Sequence, residues 1–210
     1  MTRAFFYDTE TTGLPLFNEP SEHPDQPHVV QLGACLVDLE SRKVITSIDV
    51  IVRPQGWSIS EEATKTHGIT NEFASDVGLS EALVLEMMID TWAVAAVRIG
   101  HNEQFDARII RIGLKRFSGR NSGLFSEADC EAWKAGPAEC TQRLATPICK
   151  LPPTAKMKAV GRFHHKSANL SEAYQHFTGK PLEGAHSAIV DVRACMDVYF
   201  AIKDLATVPA

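Results

Sequence analysis

Hydrophobic positions in this chain form short dense runs near the N-terminus and three- and four-residue repeats further on. Ala4 to Tyr7, His28 to Val37 and Val44 to Val52 are rich in β-branched and apolar residues, which predicts three strands. The short separation at Leu39 to Lys43 suits an antiparallel meander. Ser60, with Glu61 and Glu62 behind it, predicts a short helix ending near His67-Gly68, and Ser80 caps a longer one reaching about Trp92. Ala93 to Ile99 reads as a buried strand that Gly100 terminates. From Asn102 to Gly113, Phe105, Ile109, Ile110 and Ile112 recur at helical spacing with Arg108 and Arg111 outside. Further helices are expected around Glu127 to Lys134, from Ala168 to Phe177 ending at Gly179, and from about Ser187 to Leu205. Antiparallel strands followed by alternating units predict an α/β fold, a mixed sheet with helices on both faces.

Length adds a bound: 210 residues with 44% hydrophobic content suit one globular domain, taken as 1–210. Three stretches interrupt the periodic pattern, at about 14–27, 115–139 and 150–166. The first holds Pro15, Pro20, Pro24 and Pro27, which disfavour both helix and central strand, and it reads as a surface loop. No apolar stretch is long enough for a membrane span and the N-terminus lacks the shape of a secretory signal, so a cytoplasmic protein is expected. Cys35, Cys130, Cys140, Cys149 and Cys195 lack the paired spacings of a zinc site or a disulfide framework.

Charge changes the picture locally. A formal net charge of −5 argues against a surface that coats nucleic acid all round. From Cys140 through Ser171, however, there is no acidic residue, while Arg143, Lys150, Lys156, Lys158, Arg162 and Lys166 accumulate. That stretch is either an ordinary solvated loop or an edge that contacts phosphates.

Candidate chemistry lies in three short segments. Asp8 and Glu10, in Asp8-Thr9-Glu10-Thr11-Thr12-Gly13, end the first hydrophobic run, and side chains at i and i+2 of a strand share a face. Two carboxylates that close repel each other, and a hard divalent cation such as Mg²⁺ or Mn²⁺ relieves the repulsion. The alternative is a solvated turn after an edge strand. In His101-Asn102-Glu103-Gln104-Phe105-Asp106, Asn102 and Asp106 are four apart and stack on one face near a helix start, a spacing that plain helix capping would also produce. In Gly184-Ala185-His186-Ser187, followed by Asp191, an imidazole on a loop and a carboxylate on the next turn can reach one pocket. Histidine takes a proton from water at neutral pH more readily than a protonated lysine, and small neighbours leave His186 accessible.

Each segment alone is weak; their order and contexts together resemble the three motifs of the DEDDh 3′–5′ exonuclease superfamily, which includes the proofreading subunit of bacterial DNA polymerase III, ribonuclease T and the Trex DNases. The resemblance runs from about Ala4 to Ala201, and His67-Gly68-Ile69-Thr70 adds a match to proofreading-type members. It implies a ribonuclease H-like mixed five-stranded sheet and a site holding two Mg²⁺ or Mn²⁺ ions. Carried over by residue, Asp8, Glu10, Asp106 and Asp191 are the metal carboxylates and His186 the general base. Thr11, Gly13, Leu14, Asn102 and Phe105 stand where relatives hold or wedge the terminal nucleotides. Lys150, Lys156, Lys158, Arg162 and Lys166 are added here as candidates for tracking the strand backbone.

The implied activity is removal of nucleoside 5′-monophosphates from the 3′ end of single-stranded DNA or unpaired ends, with a polymerase or repair partner left open. RNA trimming by the same site, a noncatalytic binding module and a general phosphatase are the competing readings; the four acids with His186 disfavour the second, and the basic stripe disfavours the third. Where relatives carry an Asp-Thr pair after the fifth strand, this chain has Cys140-Thr141. His67 reads only as a helix end, His164-His165 as solvated or phosphate-facing, and Trp57, Trp92 and Trp133 as packing residues.

Overall fold

The computed structural model describes residues 2–119 and 123–207. Five strands form one sheet in the order β3-β2-β1-β4-β5: β1 (Arg3–Thr11), β2 (Val29–Asp38), β3 (Val44–Ile51), β4 (Val97–Gly100) and β5 (Ala138–Cys140). β1 pairs antiparallel with β2, and β2 with β3, giving the meander the short Leu39 to Lys43 separation called for. On the other side β1 pairs parallel with β4, and β4 with β5. The central strand β1 thus has an antiparallel and a parallel neighbour, and it also carries Asp8 and Glu10.

Alternation along β1 sends its side chains to two helical layers. Phe5 and Tyr7 face α3 (Glu81–Trp92), α4 (Glu103–Arg116) and α5 (Glu127–Ala135), in a core with Leu85, Met88, Ile110, Leu114 and Trp133. Ala4 and Phe6 face α9 (Ala188–Thr207), packing on Val192, Cys195, Met196 and Tyr199. Asp8 and Glu10 continue the even-numbered face, so they emerge on the α9 side. Helices α6 (Thr141–Cys149) and α8 (Leu170–Thr178) pack with α9 around Ala145, Ala173 and Val198. The remaining helices are α1 (Glu61–His67), α2 (Asn71–Val77) and α7 (Ala155–Ala159).

Several boundaries differ from the sequence reading. β1 runs on to Thr11, so the two acids lie inside a strand and not at its end, because Thr9, Glu10 and Thr11 still find partners on β2. β4 starts at Val97; Ala95 donates its N–H to Trp92 O in a turn, a break invisible in an unbroken apolar run. α2 was unanticipated. It has seven residues, capped by the Thr70 hydroxyl. The stretch at 115–139 is largely ordered into the end of α4, α5 and β5. The proline-rich loop is pinned from within by Gln26, which is buried: its Oε1 accepts from Leu16 N at 3.0 Å and its Nε2 donates to Leu16 O and Pro20 O.

Candidate active site

The site lies where the carboxyl end of β1 meets the starts of α4 and α9. Glu10, on the α9 face of β1, and Asp191, in the first turn of α9, come together with His186: one ligand atom from each lies within 4.8 Å of the others. The start of α9 can approach this closely because Gly33, the β2 partner of Asp8, has no side chain. A Cβ there would stand 2.4 Å from the Ala188 carbonyl carbon. Gln31, opposite Glu10 on β2, then accepts from Ala188 N at 3.1 Å, satisfying a helix-start donor. Its amide nitrogen is anchored by Asp49 Oδ1 at 2.8 Å.

Asp106 arrives from the opposite layer. Its Oδ1 accepts from both the backbone N–H and the hydroxyl of Thr9, at 3.0 and 2.7 Å. Thr9 is the residue between the two β1 acids, so it ties α4 to the strand segment that presents them. Asp8 does not share the close cluster of Glu10, His186 and Asp191, but its electrostatic neighbours are Asp106, Asp191 and Glu10. The geometry therefore brings all four acids around one region from β1, α4 and α9.

Electrostatics follow from that crowding. Loss of hydration, then repulsion from Asp106, Asp191 and Glu10, holds Asp8 well above the usual carboxylate range. Glu10 is pushed up to about 7 by burial and by Asp191 and Asp106. Burial lifts Asp106 to about 7 against the opposing Thr9 hydrogen bonds. Asp191 is raised by burial, partly offset by the His186 backbone N–H, which donates to its Oδ2 at 3.1 Å, and by the imidazole. Its other oxygen, Oδ1, is buried with no hydrogen-bond partner. Four oxygen-bearing groups that resist ionising together, one with an orphaned buried oxygen, fit a hard divalent cation. Asp8, Glu10, Asp106 and Asp191 are the residues able to hold it.

His186 is exposed and its backbone is left-handed, at φ 67°, a conformation that histidine enters more readily than most residues. Its own N–H to Asp191 fixes that turn. Asn102 is also left-handed, at φ 65°. It stands at the N-cap of α4 without a side-chain cap bond, so it does not stack with Asp106 inside the helix as the four-residue spacing suggested.

Thr11, Gly13, Leu14 and Phe105 line one cavity of about 310 Å³ with Glu10 and His67. Leu14 is 73% exposed at its rim, and the Thr11 hydroxyl donates to Gly13 O at 2.8 Å, shaping the turn between them. His67 is the residue that sequence reasoning passed over. Gly68, at φ 77°, does end α1. Yet the imidazole beside it opens on the cavity, and burial holds its pKa below the ordinary value, with the Thr11 backbone opposing and His186 adding to the shift. The His67-Gly68-Ile69-Thr70 match was the available signal.

The basic stripe lies apart, beyond α6. Lys150, in the left-handed C-cap of α6, and Lys156, Lys158 and Arg162 are exposed. Lys166 is partly buried and its ammonium is paired with Glu172 of α8, an acid just outside the acid-free stretch.

A mixed five-stranded sheet flanked by helices, with acids converging on its central strand, defines a ribonuclease H-like fold with a DEDD-type site. The exonuclease family model, RNase_T, matches residues 5–199, and the chain belongs to that family. Its fold is similar to that of E. coli exonuclease I in complex with a dT13 oligonucleotide, with a TM-score of 0.72, 19% identity, and coverage of 97% of this chain and 41% of that chain. Exonuclease I from Methylocaldum szegediense is similar at a TM-score of 0.67 and 20% identity, again over 97% of this chain and 41% of that one. The chain thus spans well under half the length of these proteins. No curated protein sequence matches it.

Proposed function

We propose that this protein is a two-metal-ion 3′–5′ exonuclease that removes 5′-mononucleotides from single-stranded DNA or unpaired 3′ ends. The observation that carries the reading is the meeting of Glu10, Asp191 and His186 within 4.8 Å, beside a buried, unpartnered Asp191 Oδ1. Exonuclease I of similar fold has been seen with a dT13 strand, which supports single-stranded DNA as the substrate.

Two divalent cations, Mg²⁺ or Mn²⁺, would supply Lewis-acid stabilisation of the reacting oxygens. The chain's own residues do the rest. Asp8, Glu10, Asp106 and Asp191 would hold these cations, whose positive charge offsets that of the phosphodiester. His186, exposed and next to Asp191, takes the proton of the attacking water. Leu14 and Phe105, on the walls of the cavity that includes Glu10, separate and seat the terminal bases, while Thr11, Gly13 and Asn102 hold the end. A duplex end must be melted before it fits, so unpaired ends react faster.

The test is digestion of 5′-labelled single-stranded DNA, duplex DNA and RNA of one sequence with Mg²⁺, with Mn²⁺ and with chelator. A descending ladder from single-stranded DNA, abolished by chelator, is expected. Immediate loss of the 5′ label or efficient cutting of closed circles would refute the polarity, and faster trimming of RNA would replace the substrate.

A further inference from the structure

Between α6 and the segment that follows it, around Pro147, lies a second cavity of mainly apolar surface with polar groups among its walls, which the catalytic reading leaves unused. Gln142, Arg143, Thr146, His164, His165 and Ser167 line about 380 Å³ of it. Gln142, Arg143, His165 and Ser167 carry donors, while the Thr146 hydroxyl donates to Gln142 O at 2.7 Å and His164 Nδ1 lies 2.9 Å from His165 O; the chain from Cys140 to Ser171 supplies no carboxylate. Next to His164, Phe163 is 73% exposed, with Val160 three residues earlier also exposed. Donors and cations beside a free aromatic face are the pairing that single-stranded nucleic acid requires, phosphate on one side and base stacking on the other.

The segments that carry this cavity are tied to the end of β4 through His101. Ala168 O accepts from His101 Nε2 at 3.0 Å, and Thr141 Oγ1 lies 2.9 Å from His101 Nδ1. Burial holds the His101 imidazole down to about 4, so at neutral pH it is uncharged: Nε2 donates to Ala168 and Nδ1 accepts from Thr141. His101 directly follows β4, and Thr141 opens α6 directly after β5, whose Cys140 pairs with Gly100. The start of α6 thus follows the strand end that pairs with the end of β4, the neighbour of β1.

We propose that this segment is a second strand-binding surface, on which Arg143, His164 and His165 hold a backbone phosphate and Phe163 stacks on a base 5′ to the terminal nucleotides. It rests on the exonuclease reading above and adds where the rest of the strand lies. It also moves the specific contact from the lysines of the stripe to a shaped cavity.

The probe is fluorescence anisotropy in chelator with 5′-labelled dT3 and dT16, on wild type, Phe163→Ala and Arg143→Ala, each checked for an unchanged thermal midpoint. Phe163→Ala should weaken dT16 by roughly tenfold, within the range seen for lost base–aromatic stacking, and leave dT3 unchanged. Arg143→Ala should lower the salt dependence of dT16 binding by about one counterion. Equal losses on dT3 and dT16, or none on either, would overturn the proposal. So would displacement of dT16 by inorganic phosphate with no effect of Phe163→Ala, since the cavity would then be a free-phosphate site. Manganese-dependent cleavage of dT3 by the wild type is scored separately: its failure removes the exonuclease reading, while its success with an indifferent Phe163→Ala removes the strand surface alone.

Discussion

Glu103 and Asp106 lie one turn apart on α4 and are both buried, yet the protein treats them in opposite ways. Glu103 has its cation built in. Arg98 Nε donates to its Oε1 at 2.7 Å, the Tyr7 hydroxyl donates to the same oxygen at 2.9 Å, and the guanidinium rests on the Trp133 ring with its carbon 4.5 Å from the centroid. Asp106 has only the neutral donors of Thr9, and it faces other acids. A buried carboxylate with a protein cation is a structural strut, and one without is a place for a cation from outside. The contrast explains why two acids of the same helix turn should differ in what their loss does.

The sharpest break in that comparison is Asp8→Ala. Removing a repelled carboxylate should abolish Mg²⁺-dependent cleavage without lowering the thermal midpoint of the metal-free protein; retained activity in a gel assay would remove Asp8 from the site. Next is His186→Ala, expected to slow turnover by roughly 10² to 10⁴-fold while binding of Mn²⁺, followed by calorimetry, persists. If metal is lost and turnover per bound metal is not, His186 is a ligand. On the strut side, Glu103→Ala leaves Arg98 charged and buried, and urea unfolding should register a loss of about 3–5 kcal/mol. An unchanged midpoint would mean that the two acids are alike after all.

The smallest effect is on pH. A carboxyl group with a higher pKa folded than unfolded makes the folded state bind the extra protons between the two values, so stability falls as pH rises through that window. Glu10 and Asp106, each at about 7, set its upper edge. His101, held down to about 4 from 6.5, acts in the opposite sense but only below its ordinary value, where stability is lost as pH falls. From about pH 6.5, where the His101 contribution is complete, up to the edge at about pH 7 the metal-free midpoint should therefore drop, by about 2–4 °C for each 1 kcal/mol in a domain of this size, and it should level off above that edge. Saturating Mg²⁺ should flatten the profile. A flat profile without metal would show that neither burial nor repulsion raises these carboxyl groups.

Much of this was legible because local signals agreed with the global fold. Ser80 as a cap, Gly68 and Gly179 as left-handed stops and the alternation of β1 each survive as expected. The three acidic motifs lie near one another, Glu10 with Asp191 and His186, and Asp106 bonded to Thr9, since strand and helix contexts fix where i, i+2 and first-turn residues point. What stayed hidden depends on partners distant in sequence. Nothing near Gln31 says that it will receive Ala188 N, and nothing near Thr9 says that it will hold Asp106. The pairing of Lys166 with Glu172 was hidden for the same reason, because that acid lies just outside the acid-free stretch. His67 was visible as a motif residue but was explained too soon by the glycine beside it.

Gly33 sets a tolerance for the whole site. With no atom beyond Cα, it lets the α9 backbone rest against the sheet, and Asp191 and His186 follow that backbone rigidly. One methyl group at position 33 would act as a shim beneath the helix, lifting a carboxylate and an imidazole together while leaving Glu10 where it was. A metal site tolerates little error in its ligand distances, so the smallest possible side chain on β2, a residue with no chemistry of its own, governs whether the chemistry across the sheet can be assembled.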